Sequence, residues 1–163
     1  MAFRIGDLCP YCRRRPSDNL NREMTSNTLR GMEMEPYQAD LKEVAKDSDD
    51  FRRVLFTGTY SQLVVMALPP SEEIGEEVHH VDQILYAVEG EGDAFLDGRR
   101  KSFEKGDVVA VPAGTRHNIR NTDKKPLKLF TVYSPPQHPA GTIHHTKADA
   151  VAAEAMSAAP RDP

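Results

Sequence analysis

The stretch GDVVAVPAGTRHNIRN, residues 106–121, has the pattern of a turn, a buried strand, a sharp corner and a second strand. Val109 and Val111 alternate with Val108 and Ala110, so one face of the first strand packs inward while the other looks out. Pro112 and Gly114 then reverse the chain, since proline presets its own φ and glycine accepts conformations other residues avoid. The strand leaving this corner opens with His117. In a small barrel, a histidine just past such a corner sits at the mouth and points in.

The same texture extends to either side. FRRVLFTG, TYSQLVVMALPP, QILYAVEG, GDAFLDG, KSFEKG and PLKLFTVYSPP are short runs rich in Val, Leu, Ile, Phe and Tyr, bounded by Gly, Pro, Asn or Asp. Several short strands at this spacing, with turn chemistry between them, imply an all-β sandwich or barrel. Asp97-Gly98 suits a tight hairpin, and Gly90 and Gly92 allow a sharp bend between two strands. Pro69-Pro70 and Pro135-Pro136 end strands, because proline donates nothing to a ladder. Tyr86, Phe95, Phe130 and Tyr133 fall at strand spacing and read as core. QADLKEVAKD, residues 38–47, places Leu41, Val44 and Ala45 at helical spacing but is too short to separate a helical turn from an extended lead-in. TKADAVAAEAMSAA reads as an Ala-rich helix capped by Thr146. The expected organisation is a flexible arm over residues 1–35, a β-barrel domain over 36–145, and a C-terminal helix and tail over 146–163.

A chain of 163 residues is enough for one domain with its own core. Its net charge of −4 offers no basic surface for nucleic acid or an anionic membrane. No apolar run approaches the roughly 20 residues that span a bilayer. The start, MAFRIGDLCPYC, lacks the basic stretch and apolar core of a secretory signal, so a cytoplasmic location is expected. Cys9 and Cys12 are spaced like a redox pair, but no βαβ pattern follows them. A zinc site would need two further ligands.

The 106–121 pattern, G-x5-P-x-G-x2-H-x3-N, resembles the second motif block of the cupin superfamily and matches it at every defined position. The first block has the form G-x5-H-x-H-x3,4-E-x6-G. Set on Gly90, it falls on Ser71, Glu77, His79 and Gln83 with correct spacing. Three letters depart: Ser71 replaces Gly, Glu77 replaces the first His, and Gln83 replaces the Glu. The resemblance covers roughly residues 52–134. The fuller string is similar to small single-domain cupins of the mannose-6-phosphate isomerase-like group. It implies a double-stranded β-helix, or jelly-roll barrel, holding a divalent metal such as Fe, Mn, Ni or Zn. It also implies a homodimer, with residues 36–60 as the exchanging segment.

Within that frame the implied metal ligands are Glu77, His79, Gln83 and His117. Strand alternation sets Glu77 and His79 on one face and turns His80 away. A slip of one residue would offer Asp82 in place of Gln83. Each also has a plainer reading: Glu77 as a solvated strand end, His79 and His117 as hydrogen-bonded barrel histidines. His138, His144 and His145 fall after the last confident strand and read as an exposed segment before the terminal helix. Arg116 fits an outward strand position as well as an anionic substrate. The expected function is metal-assisted, isomerase-like chemistry on a small polar, sugar-like molecule. A metal-dependent oxygenase and a non-catalytic small-molecule sensor are the alternatives.

Overall fold

The computed structural model describes residues 35–158. The expected N-terminal arm, with Cys9 and Cys12, therefore lies outside the described residues except for Glu35, as do residues 159–163. The alternating runs form antiparallel strands: β1 (Arg52–Thr57), β2 (Gln62–Leu68), β3 (Glu77–Val78), β4 (Asp82–Glu89), β5 (Glu91–Leu96), β6 (Arg99–Glu104), β7 (Val108–Val111), β8 (Arg116–Asn121), β9 (Leu127–Ser134) and β10 (Ile143–His144). They build a six-stranded sheet, β10-β1-β2-β9-β4-β7, and a four-stranded sheet, β3-β8-β5-β6. The inner faces meet as a jelly roll. Val64, Met66, Leu68, Leu85 and Leu129 of the large sheet pack with Ala94, Phe103 and Ile119 of the small one.

The turns behave as their residues require. Asp97 and Gly98 have φ of 47° and 77°, the pair of positive angles that a two-residue hairpin needs, and they bring Leu96 opposite Arg99. The 38–47 segment resolves as a helix, α1 (Leu41–Asp47), whose first turn is capped by the Asp40 carboxylate accepting from the backbone N–H of Lys42 and Glu43. Ala45 of α1 packs on Val65 and Val88 on the outer face of the large sheet, together with Tyr86 and Phe130, whose rings stack 5.0 Å apart. Those two aromatics thus belong to a satellite cluster, and Phe95 lies under the Arg120 guanidinium; of the four, Tyr133 enters the central core. The terminal helix is α2 (Lys147–Ala158). Thr146 Oγ1 accepts from the Asp149 N–H while Asp149 accepts from the Thr146 N–H, a reciprocal cap. Among the described residues no helix is long and apolar enough to cross a membrane.

Candidate metal centre and its mouth

Antiparallel pairing of β3 with β8 sets Glu77 opposite His117, and the pleat brings His79 back to the same side. The potential donor atoms of Glu77, His79 and His117 all lie within 4.8 Å of one another. His79 Nε2 is 2.9 Å from Glu77 Oε2, and the His79 and His117 rings meet edge to face. Burial alone would push the Glu77 carboxyl up. The hydrogen bond from His79, then the charges of His79, Arg52 and His117, outweigh it and hold Glu77 below the usual carboxylate range.

Gln83 enters from the other sheet. It is 1% exposed on β4, and its Nε2 donates to the Tyr133 hydroxyl at 3.1 Å. Its Oε1 is buried and has no partner. Asp82, one residue earlier, points outward, and its Oδ1 accepts from the Ala113 N–H to brace the Pro-Ala-Gly corner. The pleat therefore brings Gln83, not Asp82, to the inside. His117 shows the same signature as Gln83: Nδ1 is 2.9 Å from the Thr115 carbonyl, which fixes the proton there, while Nε2 is buried without a partner. Buried polar atoms are normally paired, so an unpartnered His117 Nε2 beside a carboxylate and a second imidazole fits a cation ligand.

His80 is exposed and Arg116 faces outward, 3.7 Å from Glu76. The segment after β9 departs from the sequence expectation. His138 is not exposed; its ring lies edge-on to Tyr133 at 5.1 Å, and Tyr133 in turn meets His79 at 5.7 Å. The cause is Gln62, fully buried on β2. Its Nε2 donates to the His138 carbonyl and its Oε1 accepts from the N–H of Gln137 and His138, so the loop is clasped over the barrel mouth. His144 is half-buried on β10, whereas His145 is exposed as expected. Between this loop, β1 and α2 lies a cavity of about 470 Å³, lined by Arg52, Glu77, His79, His138, His144 and Glu154 among others.

Burial pushes the His138 imidazole down to about 3, with Arg52 adding to the effect and Glu77 opposing it. Between the ordinary value of 6.5 and about 3, the unfolded chain accepts a proton that the folded protein refuses. Stability is accordingly full above about pH 6.5 and falls as the pH drops, by at most about 1.4 kcal/mol per pH unit from this one group. Urea midpoints from about pH 7 to about pH 5 should fall in the wild type and fall less in His138→Asn. Equal slopes would mean the imidazole is solvated.

Sequence reasoning missed Arg52. Its side chain is 1% exposed, with Nη1 donating to Glu154 of α2 at 2.9 Å and Nη2 lying 3.5 Å from Glu77. FRRVLF offers two adjacent arginines, and only alternation extended back from Val54 separates the inward Arg52 from Arg53, which is 41% exposed.

Comparison with known proteins agrees with this architecture. The Cupin domain family matches residues 64–133. The uncharacterized protein YrkC of Bacillus subtilis is 42% identical over 127 residues, covering 73% of this chain and 68% of its own length. The crystal structure of BH2720 from Bacillus halodurans superimposes with a TM-score of 0.71 at 39% identity, covering 74% of this chain and 97% of that one. Acireductone dioxygenase 2 of Pectobacterium atrosepticum is 35% identical over 83 residues, which are 48% of this chain and 44% of that protein.

Proposed function

This chain belongs to the cupin superfamily, and on that premise we propose that its barrel holds one divalent metal ion between Glu77, His79 and His117, with Gln83 as a weak fourth donor. The observation that carries the reading is the buried, unpartnered His117 Nε2 beside a carboxylate and imidazole already drawn together; Gln83, whose Oε1 is also buried and unpartnered, is linked to them through Tyr133. Two neutral imidazoles and one carboxylate are a donor set for a non-haem divalent metal that keeps positions open. Such an ion supplies Lewis acidity toward an oxygen of a small polar molecule.

The chain's own residues prepare that chemistry. Thr115 holds the His117 proton on Nδ1, leaving Nε2 to donate its lone pair. The Tyr133 hydroxyl, kept protonated because burial and then Glu77 raise its pKa, accepts from Gln83 Nε2 and so leaves Oε1 as the free end of the amide. The mouth cavity admits a molecule of a few carbons. The reaction we favour is isomerase-like, on a sugar-like or other hydroxylated substrate. The likeness to an acireductone dioxygenase supports a second reading, an oxygen-consuming reaction at the same ion.

Elemental analysis of protein prepared without chelator or nickel affinity tests the centre. The wild type is expected to carry about one equivalent of iron, manganese, nickel or zinc, and His117→Ala essentially none. Equal metal in both would place the ion elsewhere. Oxygen uptake with the loaded protein then separates the two reactions, since isomerisation consumes none.

A further inference from the structure

We propose that Arg52 anchors a second binding subsite, for the carboxylate of a small monocarboxylic acid, and that Glu154 of α2 occupies this subsite until the acid displaces it. The subsite shares the mouth cavity with the metal centre proposed above but does not require an ion to be bound.

A guanidinium that is 1% exposed pays a large desolvation penalty and normally spends its whole donor fork on acceptors. Arg52 does not. Its Nε is buried with no partner, Nη1 reaches one oxygen of Glu154, and Nη2 stays 3.5 Å from Glu77. A carboxylate free to take up the fork geometry would satisfy two donors at once, which a side chain tethered to a helix has not achieved here. Arg52, Glu154 and Glu77 all line the cavity, so an incoming acid meets the guanidinium where Glu154 now sits.

The surroundings select the charge. His138 and His144 line the same cavity, and each has a buried ring nitrogen without a partner, Nε2 and Nδ1 respectively. Burial, helped by Arg52, pushes both imidazoles down, so they provide hydrogen-bonding capacity without positive charge. Arg52 and Glu77 together are neutral, so a monocarboxylate in the place of Glu154 keeps the present charge balance, whereas a phosphate dianion would add a further buried negative charge. From Lys147 to Met156 only Ala150 is buried, so this part of α2 adds little apolar contact to the mouth.

Calorimetric titration with glycolate, and with its neutral counterpart glycolamide, tests the proposal on the full chain, run in parallel on chelator-treated and metal-loaded protein. Glu154→Gln removes the competitor and is expected to bind glycolate about tenfold more tightly than the wild type. Arg52→Lys keeps the charge but loses the fork, and is expected to bind it at least about tenfold more weakly. Glycolamide should bind to none of them. Glycolate should also speed hydrogen exchange of the amides of residues 150–156 in the wild type. Equal glycolate affinity in wild type and Glu154→Gln, equal binding of the amide, or no binding to either protein would overturn the proposal. Binding confined to metal-loaded protein and indifferent to Glu154 would overturn it while leaving the metal centre standing. A chain that holds no metal yet shows the exchange would do the reverse.

Discussion

Gly92→Ala is expected to destabilise the protein by about 3 kcal/mol or more, enough to remove most of a small domain's stability. Gly92 sits on β5 between Asn121 of β8 and Phe103 of β6. A methyl group there would lie 2.4 Å from the Arg120 carbonyl oxygen and 2.9 Å from Leu127 Cδ2. The oxygen is backbone in the neighbouring strand, so relief requires prying β5 from β8, the strand that carries His117. Gly98→Ala is the control. Its φ of +77° makes alanine uncomfortable, but nothing lies within 4 Å of the added carbon, so the cost should stay near 1 kcal/mol. Denaturant midpoints of the two variants measure the contrast. A Gly92→Ala protein no less stable than Gly98→Ala would show that the two strands are not held at this distance.

Asn121→Ala is expected to cost about 3 kcal/mol without loss of metal. The side chain is 1% exposed and ties two turns together, the one after β2 and the one between β8 and β9. Its Nδ2 donates to the carbonyls of Leu68, Pro69 and Lys125 at 2.8, 3.1 and 2.8 Å, and its Oδ1 accepts from the Asp123 N–H at 2.8 Å. Truncation strands several buried backbone groups, each worth about 1–3 kcal/mol when left unpaired. Asn121→Asp should be worse than alanine, since a carboxylate would face three carbonyl oxygens it cannot hydrogen-bond. Unfolding curves and metal content, measured together, check both parts. If Asn121→Asp proved the more stable variant, the amide would have to be oriented the other way round.

These two positions show what kinds of residue can be read ahead of a structure. The barrel was legible because short alternating runs and glycine or proline punctuation are local signals; Val108 to Val111 and Asp97-Gly98 needed no knowledge of their neighbours. Gln83 and Asp82 stayed open alternatives, because a one-residue slip exchanges them and only the strand register fixes which one is buried. Asn121, the closing letter of the 106–121 pattern, was visible as a position but not as a clamp, since its acceptors lie in the turns after β2 and before β9. Arg52 was invisible for the same reason more strongly: its acceptor Glu154 is 102 residues away. His138 was misjudged because a proline-rich stretch after a strand normally signals solvent, and the buried amide of Gln62 that overrides the signal lies 76 residues earlier. The two-residue strands β3 and β10 are too short to carry a period at all.

In the large sheet β9 is hydrogen-bonded on one side to β2 and on the other to β4, although the whole of β5 to β8 is made before it. During translation, Glu77, His79, Gln83 and His117 therefore all emerge while the two halves of the large sheet have nothing to join them. Tyr133, which orients Gln83, and His138, which Gln62 clasps, follow only with β9 and the loop beyond it. Pairings this distant are closed late and slowly. A ribosome-bound chain thus carries every candidate ligand before it carries the residues that orient Gln83 and clasp the mouth.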